Sequence, residues 1–138
     1  MAGKRGLIMG VANDHSIAWG IAEHLHQQGA ELAFTYQSEA LGRRVKPLAE
    51  SVGSSIVVPC DVSEQRSVDE AFDHLAEFWP TLDFVVHAIA YSDKEELKGR
   101  YIDTSRENFL QTLDISCYSF TAVAQRAARS MNLSLIHI

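Results

Sequence analysis

Between Leu7 and Gly20 a short apolar run, Leu7-Ile8-Met9, meets through Gly10 a segment of helical period that begins near Ser16. A buried strand that feeds a helix through a glycine turn belongs to a parallel strand–helix–strand unit. Such a turn gathers backbone N–H groups and the positive end of the helix at the carboxyl edge of the sheet, where a phosphate group is stabilised. The usual dinucleotide fingerprint, Gly-x-Gly-x-x-Gly, is not present, because Ala12 and His15 stand where its second and third glycines would be. The turn reads instead as Gly10, five residues, then Ser16-Ile17-Ala18-Trp19-Gly20.

The same alternation runs on through the chain. The first strand is read as 6–9 and the first helix as about 16–28, with Ile17, Ala18, Ile21, Ala22 and Leu25 on one face and Gly29 placed to end it in the left-handed conformation. A second strand covers 31–36. A basic helix over about 39–52 follows, with Leu41, Val45, Leu48 and Val52 facing inward and Pro47 predicting a kink or a break. The third strand, 54–59, leaves the sheet edge through Cys60-Asp61-Val62. The third helix, about 64–79, is expected to bury Val68, Ala71, Phe72, Leu75 and Phe78 before Pro80 stops it. The fourth strand, 83–88, is apolar on both faces and predicts a central position.

From Ala90 to Thr104 the period vanishes and charge dominates, which predicts a loop or flap. Thr104 with Glu107 forms a capping box. The helix it opens would reach Arg129, about 25 residues and about 37 Å long. Phe109, Leu113, Cys117, Phe120, Ala124 and Ala127 form its main stripe, and Leu110, Tyr118 and Val123 a second. Four strand–helix units predict an α/β fold, a doubly wound parallel sheet of three-layer α/β/α build, incomplete and ordered 3-2-1-4. Asn132 to Ile138 reads either as the start of a fifth strand or as a foreign tail.

The 138 residues suffice for one core, with 46% apolar and 22% charged residues. A net charge of −6 excludes nucleic acid and anionic membrane as electrostatic partners. No apolar run approaches the roughly 20 residues that span a bilayer, and no signal peptide is evident, so a cytoplasmic protein is expected. The two cysteines, Cys60 and Cys117, read as buried thiols of a reducing compartment. His24 and His26, about 200° apart on a helix, cannot share an ion, and the six histidines show no metal-ligand spacing.

With the strands placed, the chain resembles the enoyl-[acyl-carrier-protein] reductases of bacterial fatty acid synthesis, a divergent branch of the short-chain dehydrogenase/reductases. Gly10-Val11-Ala12, Ser16 to Gly20, Gly29 to Gln37 (GAELAFTYQ), Cys60-Asp61-Val62, His87 to Tyr91 (HAIAY) and Asp114 to Phe120 (DISCYSF) carry the resemblance, in order, from about Lys4 to Met131. It implies a Rossmann-type NAD-binding domain over 1–131, with 132–138 an atypical tail. The cofactor implied is NADH. Gly10 would turn tightly against it, and Ser16 and Ile17 would meet the pyrophosphate. Gln37 would reach a ribose, although Arg43 and Arg44 could instead receive a 2′-phosphate. Asp61 would accept from the adenine amino group, with Val62 on the ring and Ile89 beside the nicotinamide ribose. Ala90, Tyr91 and Ser92 would border the acyl substrate. For Ser16 and Asp61 a plain helix-capping role is the alternative. The implied substrate is an enoyl thioester on acyl carrier protein, and the implied assembly is a homotetramer packed through the long helix.

The family's catalysis rests on Tyr-x-x-Met-x-x-x-Lys, two side chains on one helical face. Only Tyr91 and Lys98 have that spacing, with Lys94 in the methionine's place and no apolar stripe. The pair also follows the fourth strand directly, one strand and one helix too early, so the chain is expected to hold no catalytic residue and to be inactive alone. A non-catalytic dinucleotide-binding fragment and another short-chain dehydrogenase/reductase are the alternatives. A fourth strand without a further neighbour also predicts low solubility.

Overall fold

The computed structural model describes residues 1–131 of the chain. The expectation of an atypical tail at 132–138 lies outside the described residues. Four strands, β1 (Arg5–Met9), β2 (Glu31–Tyr36), β3 (Val57–Pro59) and β4 (Phe84–His87), form one parallel sheet in the order β3-β2-β1-β4. Helices α1 (Ile17–Gln27), α2 (Glu39–Ser51) and α3 (Gln65–Phe78) connect them, and a final column follows β4. The doubly wound α/β architecture is as the sequence predicts.

Strand geometry sorts the core into two layers, because successive side chains point to opposite faces. Leu7 and Met9 of β1 pack with Val68, Phe72 and Leu75 of α3 and with Val123 and Ala127 further on. Ile8, between them, faces the other way and packs with Ala18, Trp19 and Ala22 of α1 and Val45 and Ala49 of α2. Phe34, fully buried in β2, belongs to this second layer. The register Leu7↔Ala33 and Leu7↔Val85 aligns the carboxyl ends of β1, β2 and β4 along one edge.

Several expectations are corrected. Ile17 is 81% exposed rather than part of the α1 face, because it sits at the helix mouth above the sheet edge. Phe78 is exposed too, and Trp79 is buried in its place: α3 ends at Phe78, and the extended backbone at Trp79 turns the indole inward, with the Arg5 guanidinium 5.8 Å from its ring. α2 runs through Pro47 without a break. The carbonyl deprived of a donor there is that of Arg43, an exposed residue, and water can satisfy it. β3 is shorter than read, although Phe34 N still donates to Ile56 O at 2.9 Å. β4 is an edge strand among the described residues, and its four residues are half-buried, since only β1 flanks it within a named strand pair.

The column after β4 departs furthest from its pattern. Ser105, not Thr104, caps it, accepting from Asn108 N at 3.1 Å. Its hydroxyl also bonds Glu96, whose carboxylate takes the Ser105 N–H as well. The column then divides into α4 (Arg106–Leu113), a π-helical turn (Asp114–Tyr118) and α5 (Ser119–Ala127). Phe109, Leu110, Leu113, Tyr118 and Phe120 are exposed, while Asn108, Ser119, Ala122, Val123 and Ala127 are buried. The polar side chains Asn108 and Ser119 lie inward because each has partners there, in the loop after β4 and in β4 itself. Cys117 is exposed on the π turn, against the expectation of burial, and Cys60 is buried; both are free thiols. The 90–104 loop contains one 3-10 turn, Tyr101–Asp103, and is tethered through Ser92, Asp93 and Glu96.

Candidate functional site

At Gly10 the chain leaves β1 with φ +104°, a conformation that side chains rarely adopt, and a Cβ there would overlap the Ala88 carbonyl oxygen. Only a glycine lets β1 and the end of β4 approach this closely. The turn that follows is organised by Ser16. Its Oγ accepts from Ala12 N at 2.9 Å and Asn13 N at 3.0 Å and donates to Asn13 O at 2.7 Å. The same residue's N–H donates to Asn13 O. Ser16 therefore occupies the N-cap position without capping α1 through its side chain; it ties the turn to itself. The Ile17 and Ala18 amides stand at the open end of α1, ahead of its first bond, which Trp19 N makes to Ser16 O at 2.9 Å.

Across the edge, the Gln37 amide, just beyond β2, donates to Asp61 Oδ2 at 2.9 Å. Asp61 Oδ1 accepts from Ser63 N at 3.0 Å and Ser63 Oγ at 2.7 Å. Burial alone would push the Asp61 carboxyl up, but the hydrogen bonds from Ser63 and Gln37 outweigh it and hold the group below its usual range. Its neighbour Cys60 is pushed up to about 12 by burial and by the Asp61 charge, so it is an inert thiol at neutral pH.

Gly10, Gln37, Asp61, Val62, Ile89, Ala90 and Tyr91 line one cleft of about 420 Å³ along the carboxyl edge, a size suited to a small-molecule ligand. Gln111 and Ile115, from the column after β4, are also among the residues of its wall. Of these, Gln111 has no signal in the sequence, whereas Ile115 falls in the Asp114 to Phe120 stretch that carries the resemblance; both lie off the apolar stripes of the final helix. A second hollow of about 500 Å³ lies beside it, lined by Gly10, Ile17, Ile89, Ala90 and Ser116 among others. Gly10, Ile89 and Ala90 are shared by both. Ser16 lines neither, and Ser92 is drawn away under the 90–104 loop, beside Asn108 and Thr112. Tyr91 is 46% exposed, and Lys98 pairs with Glu95 rather than with Tyr91. Among the described residues there is no cluster of His, Cys, Asp and Glu able to hold a metal ion, and no helix is long and apolar enough to cross a membrane.

A cleft at the carboxyl edge of a parallel sheet is common to many enzymes, and comparison with known proteins narrows it. Over 132 residues the chain is 65% identical to the enoyl-[acyl-carrier-protein] reductase [NADH] 2 of Rhizobium meliloti (strain 1021), covering 96% of this chain and 49% of that protein. The crystal structure of the enzyme from Anaplasma phagocytophilum, in complex with NAD, matches with a TM-score of 0.91 and 61% identity, over 95% of this chain and 50% of that one. FabI from Candidatus Liberibacter asiaticus matches with a TM-score of 0.92 and 60% identity, over 94% and 50%. The chain thus spans about half the length of these relatives. A family model described as enoyl-(acyl carrier protein) reductase matches residues 10–134, from the glycine that opens the cleft to beyond the last described helix, and the chain belongs to that family.

Proposed function

We propose that these residues form the coenzyme-binding portion of an NADH-dependent enoyl-[acyl-carrier-protein] reductase acting in fatty acid elongation. The observation that carries this reading is the convergence of four strand ends on one cleft: Gly10 after β1, Gln37 after β2, Asp61 after β3, and Ile89 to Tyr91 after β4. The cleft, the hollow beside it and the turn between β1 and α1 together offer each part of a dinucleotide a matching group. With three donors already on it, the Asp61 carboxylate keeps one acceptor site for the adenine amino group, with Val62 against the ring. Gln37, its amide nitrogen committed to Asp61, offers its carbonyl oxygen to a ribose hydroxyl. The turn held by Ser16 and the first amides of α1 at Ile17 suit the diphosphate, and Ile89 suits the nicotinamide ribose.

The Asp61 charge beside Gln37 also disfavours a 2′-phosphate by Coulomb repulsion, which supports NADH over NADPH; Arg43 and Arg44 are exposed on α2. When bound, the coenzyme supplies a hydride for the double bond of an enoyl thioester carried on acyl carrier protein. Ala90 and Tyr91, with Ser92 beyond them, lie where such a substrate would be bordered. The 138 residues contain no Tyr-x-x-Met-x-x-x-Lys, so binding and orientation fall to this chain and proton donation does not. The exposed apolar face of Phe109, Leu110, Leu113, Tyr118 and Phe120 supports assembly into a homotetramer, and the protein is assigned to the cytoplasm.

Calorimetric titration with NADH tests the reading. Binding of NADH without oxidation in the presence of crotonyl thioester is expected. A chain that ignores both NADH and ADP would overturn it, and turnover would overturn the exclusion of catalytic residues.

A further inference from the structure

Two serines on the π turn and at the start of α5 join the final column to the end of β4. Ser119, 1% exposed, donates from Oγ to Ile115 O at 2.6 Å and shares a 2.8 Å hydrogen bond with His87 Nε2. Three residues earlier, Ser116 Oγ accepts from the Tyr91 N–H at 3.0 Å and donates to the Tyr91 carbonyl at 3.1 Å. One hydroxyl thus grips both backbone polar groups of a single residue. Between these anchors, at His87 and Tyr91, run Ala88, Ile89 and Ala90. Ile89 and Ala90 are the segment shared by the two hollows, and Ser116 itself lines the second. The π turn widens the helix at this point, a distortion frequent at functional sites, and both serines face the strand end.

We propose that Ser116 is a positioning residue for the nicotinamide half of the coenzyme. It sets the backbone path of Ile89–Tyr91 at the junction of the two hollows. The inference rests on the coenzyme reading above. Without the Ser116 hydroxyl, the N–H and C=O of Tyr91 turn to water and the segment pivots about Ile89 and Ala90. The damage stays local, because the loop beyond remains tied at Asp93, whose N–H donates to Asn108 at 2.9 Å. The adenine end is served by Gln37 and Asp61, beyond the ends of β2 and β3, whereas the Ser116 hydroxyl bonds Tyr91.

The test compares NADH with ADP on the 138-residue chain and its Ser116→Ala and Ser116→Thr variants. Ser116→Ala should weaken NADH about tenfold, the worth of one or two lost hydrogen bonds. It should leave ADP within about twofold, as expected for a distant site. Ser116→Thr, which keeps the hydroxyl, should restore NADH binding. Equal weakening of both ligands, or undiminished NADH binding in Ser116→Ala, would overturn the proposal. A wild-type chain that binds ADP but not NADH would overturn it as well. Failure to bind either would remove the coenzyme reading, and this inference with it. Hydrogen exchange supplies a ligand-free measurement: Ser116→Ala should lose protection at the Tyr91 amide while the Ile8 and Phe34 amides keep theirs. Unchanged protection at Tyr91 would overturn the clamp.

Discussion

The Gln37 side-chain amide donates to Asp61 Oδ2 at 2.9 Å, linking the ends of β2 and β3 at one end of the cleft. With Ser63 on the other oxygen, the carboxylate is fixed in place and kept ionised. Asp61→Asn should weaken NADH about tenfold or more, since hydrogen bonds to a charged group are worth more than neutral ones. The sign of the pH effect follows from the direction of the shift. A carboxyl lowered in the fold contributes at all pH values above its unfolded value, about 3.9, and its contribution is lost only as pH falls through the lowered value. NADH affinity measured by fluorescence should therefore show no Asp61-dependent change between about pH 5 and 8.

Gly10→Ala should cost more than about 2 kcal/mol, from the strained φ and from overlap with the Ala88 carbonyl. A urea melt should show the loss, with NADH binding abolished even where the variant remains folded. A variant as stable as the parent would mean that β1 and the end of β4 are not so close.

His87 carries a second pH effect, of different origin. Burial lowers its pKa, and the neutral ring bonds Ser119 at 2.8 Å. As pH falls below the unfolded value of about 6.5, the unfolded chain takes up a proton that the folded imidazole resists. Folding stability should decline from about pH 6.5 downward and level off below the lowered value. Thermal melts at pH 7.5 and 5.5 should separate for the parent and converge for His87→Gln.

The exposed side chains of the final column predict self-association. Leu110, 54% exposed, has its side chain outside the core. Leu110→Glu should shift sedimentation toward smaller species while leaving NADH affinity unchanged. An unaltered sedimentation profile would remove this face from the assembly.

The alternation of strands and helices, the order β3-β2-β1-β4 and the positions of Gly10, Gln37 and Asp61 at the sheet edge were legible residue by residue. Each depends on local periods: apolar runs for strands, spacings of three and four for helices, a glycine where φ must be positive. The burial of β1 to β3 and α3 followed the same logic, because a sheet covers whatever apolar stripe faces it. Val123 and Ala127 near the end of the last column are buried as their spacing predicts, but the part from Arg106 to Phe120 resisted reading. There the strongest apolar stripe, Phe109, Leu113 and Phe120, faces out, and the weaker polar one, Asn108, Ser116 and Ser119, makes the bonds to the loop and strand end. Periodicity ranks faces by hydrophobicity alone. Here the inward face is chosen by hydrogen-bond partners contributed by Tyr91, Asp93 and His87, residues 15 to 32 positions away in the chain. Ser16 shows the same limit at short range. A serine before a helix is read as its cap, yet the hydroxyl finds Ala12 and Asn13 amides nearer once the turn has closed. Chain-local preference states what a residue is able to bond, and the packed molecule selects which of those partners arrives within 3 Å.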